Sequence, residues 1–240
     1  MLVAAAVCPC PPLLVPQIAA GAAPELDAAR AACTDALGVL AAARPDRLVV
    51  VGPADDAGPA IYPQGTPGSF RGFGVGVDVR LGTGRGLGTE GTGHELPYGL
   101  AVGAWLLGRA GWADSPVEGV GVGEGLPAER CAAVGRDLAA RPGRLALLVL
   151  GDASACRTLK APGYLDERAA PFDAEVARAL ATADTAALTA LDVSLSRELK
   201  ASGRAPWQVL AGAAEDAGLA GALLYEDAPY GVGYVAAAWS

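Results

Sequence analysis

Six consecutive apolar residues, Leu145 to Leu150 (LALLVL), run without a polar interruption straight into Gly151-Asp152. A strand with one wet face alternates apolar and polar residues, so an unbroken run predicts a strand covered on both faces. That is the environment of a parallel sheet with helices above and below. Two further runs read the same way: 2–7, ended by the Pro9, Pro11, Pro12 cluster, and 47–51 (RLVVV). Between them Pro24 marks a helix start, and Leu26, Cys33, Leu37 and Leu40 follow at helical spacing up to Pro45. Helices are predicted at 97–110, with Leu100, Trp105, Leu106 and Leu107 on the buried side, and at 127–140, 172–182, 185–201 and 206–217. Strands are predicted at 117–122, 222–225 and 232–238, the last two close enough together to pair antiparallel. The alternation predicts an α/β fold, a three-layer α/β/α arrangement with a central, largely parallel mixed sheet, forming one domain over residues 1–240. Residues 52–93 are Gly-rich, with Val75, Val77 and Val79 as their strand-like alternation; this long loop is expected to cover a pocket.

Composition narrows the function. A net charge of -8, with arginines scattered at 30, 44, 47, 71, 80 and 85, gives no basic patch for a phosphate backbone, so nucleic acid is excluded as a partner. The five cysteines form an odd set without paired metal-type spacing beyond Cys8-Pro9-Cys10, which fits a reduced cytoplasmic protein. The apolar start MLVAAAVCPCPPLLVP lacks a basic leader region and is broken by proline, so it reads as a buried strand. No stretch reaches the roughly 18 uninterrupted apolar residues of a membrane span. High Ala, Gly and Arg with little Lys fits a GC-rich bacterial genome.

Five segments carry a resemblance in order along nearly the whole chain: Cys8-Pro9-Cys10-Pro11-Pro12-Leu13-Leu14-Val15-Pro16; Arg44-Pro45-Asp46-Arg47 on to Pro53; Leu150-Gly151-Asp152-Ala153-Ser154; Phe172-Asp173; and Ala228-Pro229-Tyr230-Gly231-Val232-Gly233-Tyr234-Val235-Ala236. Together they resemble the class III extradiol ring-cleavage dioxygenase family, which includes the Memo proteins. The resemblance implies ferrous iron held by two His and one Glu, with catechol and O2 bound side by side and a further His as acid/base. At the corresponding positions this chain has Cys10, Ala54 and, after Ser154, Ala155. Glu198 lies nearby in sequence but out of register with the family Glu. An alanine has no lone pair to give, so the resemblance implies a homologue without the iron site or a cofactor, binding a small molecule or a protein partner. The alternative is an active metal-dependent ring-cleavage dioxygenase or oxidoreductase rebuilt around Cys10 and His94 with iron or zinc, or a metal-free enzyme using Cys10, His94 and Asp152.

Each candidate has a structural reading beside the functional one. His94 is the one histidine of the chain and would carry any imidazole acid/base step, or make a structural hydrogen bond before a helix. Asp152 follows a buried strand, where a carboxylate faces a ligand crevice or caps the next segment. Cys10 is a ligand, a nucleophile or a small buried thiol. Asp55 and Asp56 fit a solvated turn. Ala54, Asp55, Ser154, Ala155 and Tyr230 are expected to line the pocket. Ser154 sits in DASAC rather than in Gly-x-Ser-x-Gly, which argues against a hydrolase. Gly123-Glu124-Gly125-Leu126-Pro127-Ala128 reads as a tight turn, since Pro127 and the missing ribose-binding acid do not suit a dinucleotide loop. A homo-oligomer is compatible with the sequence, which specifies no interface.

Overall fold

A computed structural model describes residues 1–55, 58–83 and 95–240. Its strands are β1 (Leu2–Cys8), β2 (Arg47–Ala54), β3 (Ala60–Tyr62), β4 (Pro67–Ser69), β5 (Asp78–Arg80), β6 (Val117–Gly123), β7 (Leu145–Leu150), β8 (Gly221–Asp227) and β9 (Tyr234–Trp239). Its α-helices are α1 (Pro16–Ala19), α2 (Asp27–Ala42), α3 (Tyr98–Ala110), α4 (Ala128–Ala140), α5 (Ala169–Ala181), α6 (Thr185–Thr189), α7 (Val193–Glu198) and α8 (Arg204–Ala214).

The main sheet runs β3-β6-β2-β7-β1-β9-β8. The inner strands β6, β2, β7 and β1 are mutually parallel, while β3, β9 and β8 join antiparallel. Alternation along the apolar strands sends Leu145, Leu147 and Val149 to one face and Ala146, Leu148 and Leu150 to the other, and all six are buried. Helices α2 and α3 cover the second face; α4, α5 and α8 cover the first. The three-layer α/β/α fold follows, because an apolar strand between two helical layers has no solvent side that would need polar residues.

Helices α4 and α8 approach backbone to backbone. A Cβ on Gly135 would collide with the Val209 carbonyl, and one on Gly212 with the Ala132 backbone. Every residue of α8 is buried.

Four sequence expectations are corrected. The helix predicted at 185–201 divides into α6 and α7, because Asp184 and Asp192 each accept a backbone N–H three residues on, from Ala187 at 2.9 Å and Leu195 at 2.7 Å. Pro24 does not open α2: it lies inside a 3-10 segment, Ala20–Leu26, and the helix begins at Asp27. Trp105 is half-buried, with the Arg109 guanidinium 5.8 Å from its ring centroid, while Leu100, Leu106 and Leu107 are buried as expected. The alternation at 75–79 contributes only its end to a strand, since β5 pairs with β4 in a separate ribbon. Among the described residues no helix is long and apolar enough to cross a membrane.

Candidate functional site

Strands β1 and β7 are parallel neighbours whose connections part: β1 leads to α2 on one face and β7 to α5 on the other. Such a parting leaves a crevice beyond the strands' carboxyl ends, where open α/β sheets bind ligands. Cys10 lies just past β1 and Asp152 just past β7. The structure brings these two sequence candidates together, the Cys10 backbone N–H donating to Asp152 Oδ1 at 2.8 Å.

The Asp152 main chain is clamped as well. Its N–H donates to Ser202 Oγ at 3.0 Å, and its carbonyl accepts from the Gly203 N–H at 2.9 Å. A Cβ on Gly151 would collide with the Gly203 backbone and one on Gly203 with the Trp207 ring, so both the β7 exit and the α8 entry require glycine. Burial, partly offset by the Cys10 N–H, pushes the Asp152 carboxyl up to about 7.

Tyr98 at the first turn of α3 and Tyr234 at the start of β9 both feel the Asp152 charge, and Glu124 in the turn after β6 acts on Tyr98 and Cys10. Burial raises both phenols, with Cys10 and then Asp152 adding to the shift at Tyr98, and Asp152 then Tyr230 at Tyr234. Burial and the adjacent Asp152 hold the Cys10 thiol well above its ordinary range, while the Ser202 hydroxyl acts in the opposite direction. At neutral pH Cys10 is therefore a buried, protonated thiol, a poor metal ligand and a poor nucleophile.

The other candidates are dispersed. Ala54 ends β2 half-buried, and Asp55 beyond it is exposed. Ser154 and Ala155 are buried, but the Ser154 side chain is not available to a ligand. Its N–H and hydroxyl both donate to Asp173, at 2.8 and 2.9 Å, and Arg157 completes that carboxylate at 3.0 Å. Tyr230 is half-buried, and burial with Glu25 beside it raises its phenol. Glu198 is exposed and paired with Arg168 at 2.7 Å. His94 and Asp56 lie outside the described residues.

Tyr98, Ser202, Tyr234 and Glu124 were not singled out from the sequence. Ser202-Gly203 directly before a helix was the available signal for the Asp152 clamp, and Tyr234 lay inside the GVGYV run, where the glycines drew the interpretation. A surface hollow of about 340 Å³, lined by Met1, Arg136 and Asp216 among others, opens at the amino-terminal ends of the strands, opposite the crevice.

The ferrous site implied by the resemblance does not fit these residues. Ala54 and Ala155 have no donor atom, the Cys10 thiol is protonated, and Glu198 is held at the surface. Among the described residues no group of three His, Cys, Asp or Glu side chains is placed to hold a metal ion.

No family model and no curated protein matches the chain. Among solved structures, the crystal structure of uncharacterized protein JW3007 from Escherichia coli K12 is similar, with a TM-score of 0.60 at 16% identity over 99% of this chain and 100% of that one. At that identity the likeness shows a shared fold.

Proposed function

We propose that this chain is a relative of the class III extradiol dioxygenases and Memo proteins that lacks their ferrous iron and binds a small molecule in the crevice between β1 and β7. The observation that carries the reading is the Cys10–Asp152 pairing at the head of that crevice, with alanine at 54 and 155 where the resemblance calls for imidazoles. A methyl group cannot coordinate a cation, whereas a clamped and enclosed carboxylate can orient a ligand. The test is elemental analysis of the purified protein together with oxygen uptake on catechols. Metal far below one equivalent and no uptake are the expected results. One equivalent of iron or zinc that is lost in a Cys10→Ala variant, or ring-opened product, overturns the reading.

A second reading, a metal-free acid–base enzyme using Asp152 with His94 and Cys10, is favoured by one feature. A carboxyl near 7 exchanges its proton at the operating pH of most enzymes. A pH–rate profile whose limb near pH 7 disappears in Asp152→Asn would carry it.

A further inference from the structure

We infer that the hollow bordered by α3, β5 and α1 is a second ligand site, separate from the crevice, and that it takes a small carboxylate carrying an apolar ring. Its volume is about 420 Å³, room for a single-ring molecule. Helix α3 supplies one wall: Ala104, Trp105, Gly108 and Arg109 stand one and four positions apart and so form a single patch on the helix. Residues of β5 and Gln17 of α1 line the same hollow.

The first observation is the placement of charge. Two guanidinium groups, Arg80 and Arg109, border the hollow together with one carboxylate, Asp78. That carboxylate is already satisfied, because Arg71 donates to its Oδ2 at 2.7 Å and the Ser69 hydroxyl to its Oδ1 at 3.0 Å. The central carbon of the Arg109 guanidinium lies over the Trp105 ring, 5.8 Å from its centroid. This contact draws on the cation's charge and uses none of its five N–H donors. Among the described residues those donors have no acceptor, and Arg80 has one, the Gly65 carbonyl at 3.2 Å. A guanidinium anchored on an indole with its N–H groups unspent is suited to a planar carboxylate.

Gly108 supplies the second, independent observation. Glycine inside a helix weakens it relative to alanine, so its presence there calls for a reason. The other two glycines of α3 have one in the packing: a Cβ on Gly99 would collide with the Pro53 ring, and one on Gly103 with the Val50 side chain. A Cβ on Gly108 would meet nothing within 4 Å. Gly108 borders the hollow, and its missing side chain leaves bare backbone there for a flat ring to approach. An ammonium ligand would meet two guanidinium groups and a carboxylate that needs no partner. A bare inorganic anion would leave the apolar surface of Val79, Ala104 and Trp105 unused. A carboxylate on a ring uses both.

The experiment is an NMR titration of the full chain that follows the Trp105 indole N–H, assigned with Trp105→Phe, as benzoate, benzyl alcohol, benzylammonium or inorganic phosphate is added. Benzoate should shift that signal saturably and bind at least about fivefold more tightly than the other three, a preference that shrinks in high salt. Arg109→Gln should weaken benzoate by about fivefold. Gly108→Leu fills the hollow beside the ring and should abolish the response; since it places a better helix former in open space, it should leave the thermal midpoint no lower. Asp152→Asn alters the crevice and should leave the titration unchanged. Equal or tighter binding of the alcohol, of phosphate or of benzylammonium, or no shift with benzoate up to about 50 mM, overturns the inference. So does a benzoate response that survives both Arg109→Gln and Gly108→Leu, or one that is lost in Asp152→Asn.

Discussion

The Asp152→Asn substitution should change how stability depends on pH, in a direction fixed by the enclosure of the carboxyl. An aspartate with an ordinary value of 3.8 that is held at about 7 in the fold keeps its proton after the unfolded chain has lost its own. Below pH 3.8 both states are protonated and Asp152 has no effect. As pH rises from there to about 7 the folded state binds more protons than the unfolded one, so stability falls, and above about 7 the loss is complete. At about 1.4 kcal/mol per pH unit the full loss is about 4 kcal/mol, and it is nearer 2 kcal/mol once water at the exposed edge of Asp152 is counted. Asparagine keeps a carbonyl oxygen for the Cys10 N–H and cannot ionise. The variant should match the native protein at pH 4 and exceed its stability by about 2–4 kcal/mol at pH 8. Of the groups facing Asp152, Cys10, Tyr98 and Tyr234 are all held above this window, and Glu124→Gln serves as the control for the remaining carboxylate. Urea unfolding of the three proteins between pH 4 and 8.5 is the assay. Parallel pH curves for the native protein and Asp152→Asn would refute the reasoning, since they would mean that Asp152 ionises as freely in the fold as in water.

Two further outcomes follow from the packing. All five cysteines are buried and unpaired, so an aromatic disulfide reagent should titrate no thiol in the native protein and all five in denaturant; rapid native modification would show that the Cys10 pocket is open. Asp173→Ala leaves the Ser154 N–H and hydroxyl without their acceptor and should lower stability by about 3 kcal/mol in urea unfolding, with a change under about 1 kcal/mol showing that Ser154 finds another partner.

The metal reading shows how sequence and structure divide the problem. The absence of imidazole at 10, 54 and 155 was legible at once, because residue type alone decides whether a donor atom exists. What stands around Asp152 was not. Tyr98, Glu124, Ser202 and Tyr234 come from four separated segments, and they meet only because α3, the β6 turn, α8 and β9 all reach the carboxyl end of the sheet. The partner of Ser154 was hidden for a similar reason. Its orientation is set by Asp173, nineteen residues away on α5, and nothing in DASAC encodes that contact.

The chain's apolar runs by themselves determined the α/β class and the burial of both sheet faces. Such runs dissolve poorly in water, and only a strand between two covering layers hides all of their side chains. Local signals were weaker where a short-range competitor was present, as at Asp192, whose side chain caps a new helix and interrupts the expected one. Only the tertiary structure decided the strand order, the parting of connections at β1 and β7, and hence the enclosure of Asp152. These depend on contacts between residues about 140 apart, and the free energy of such contacts exists only once the chain has closed upon itself.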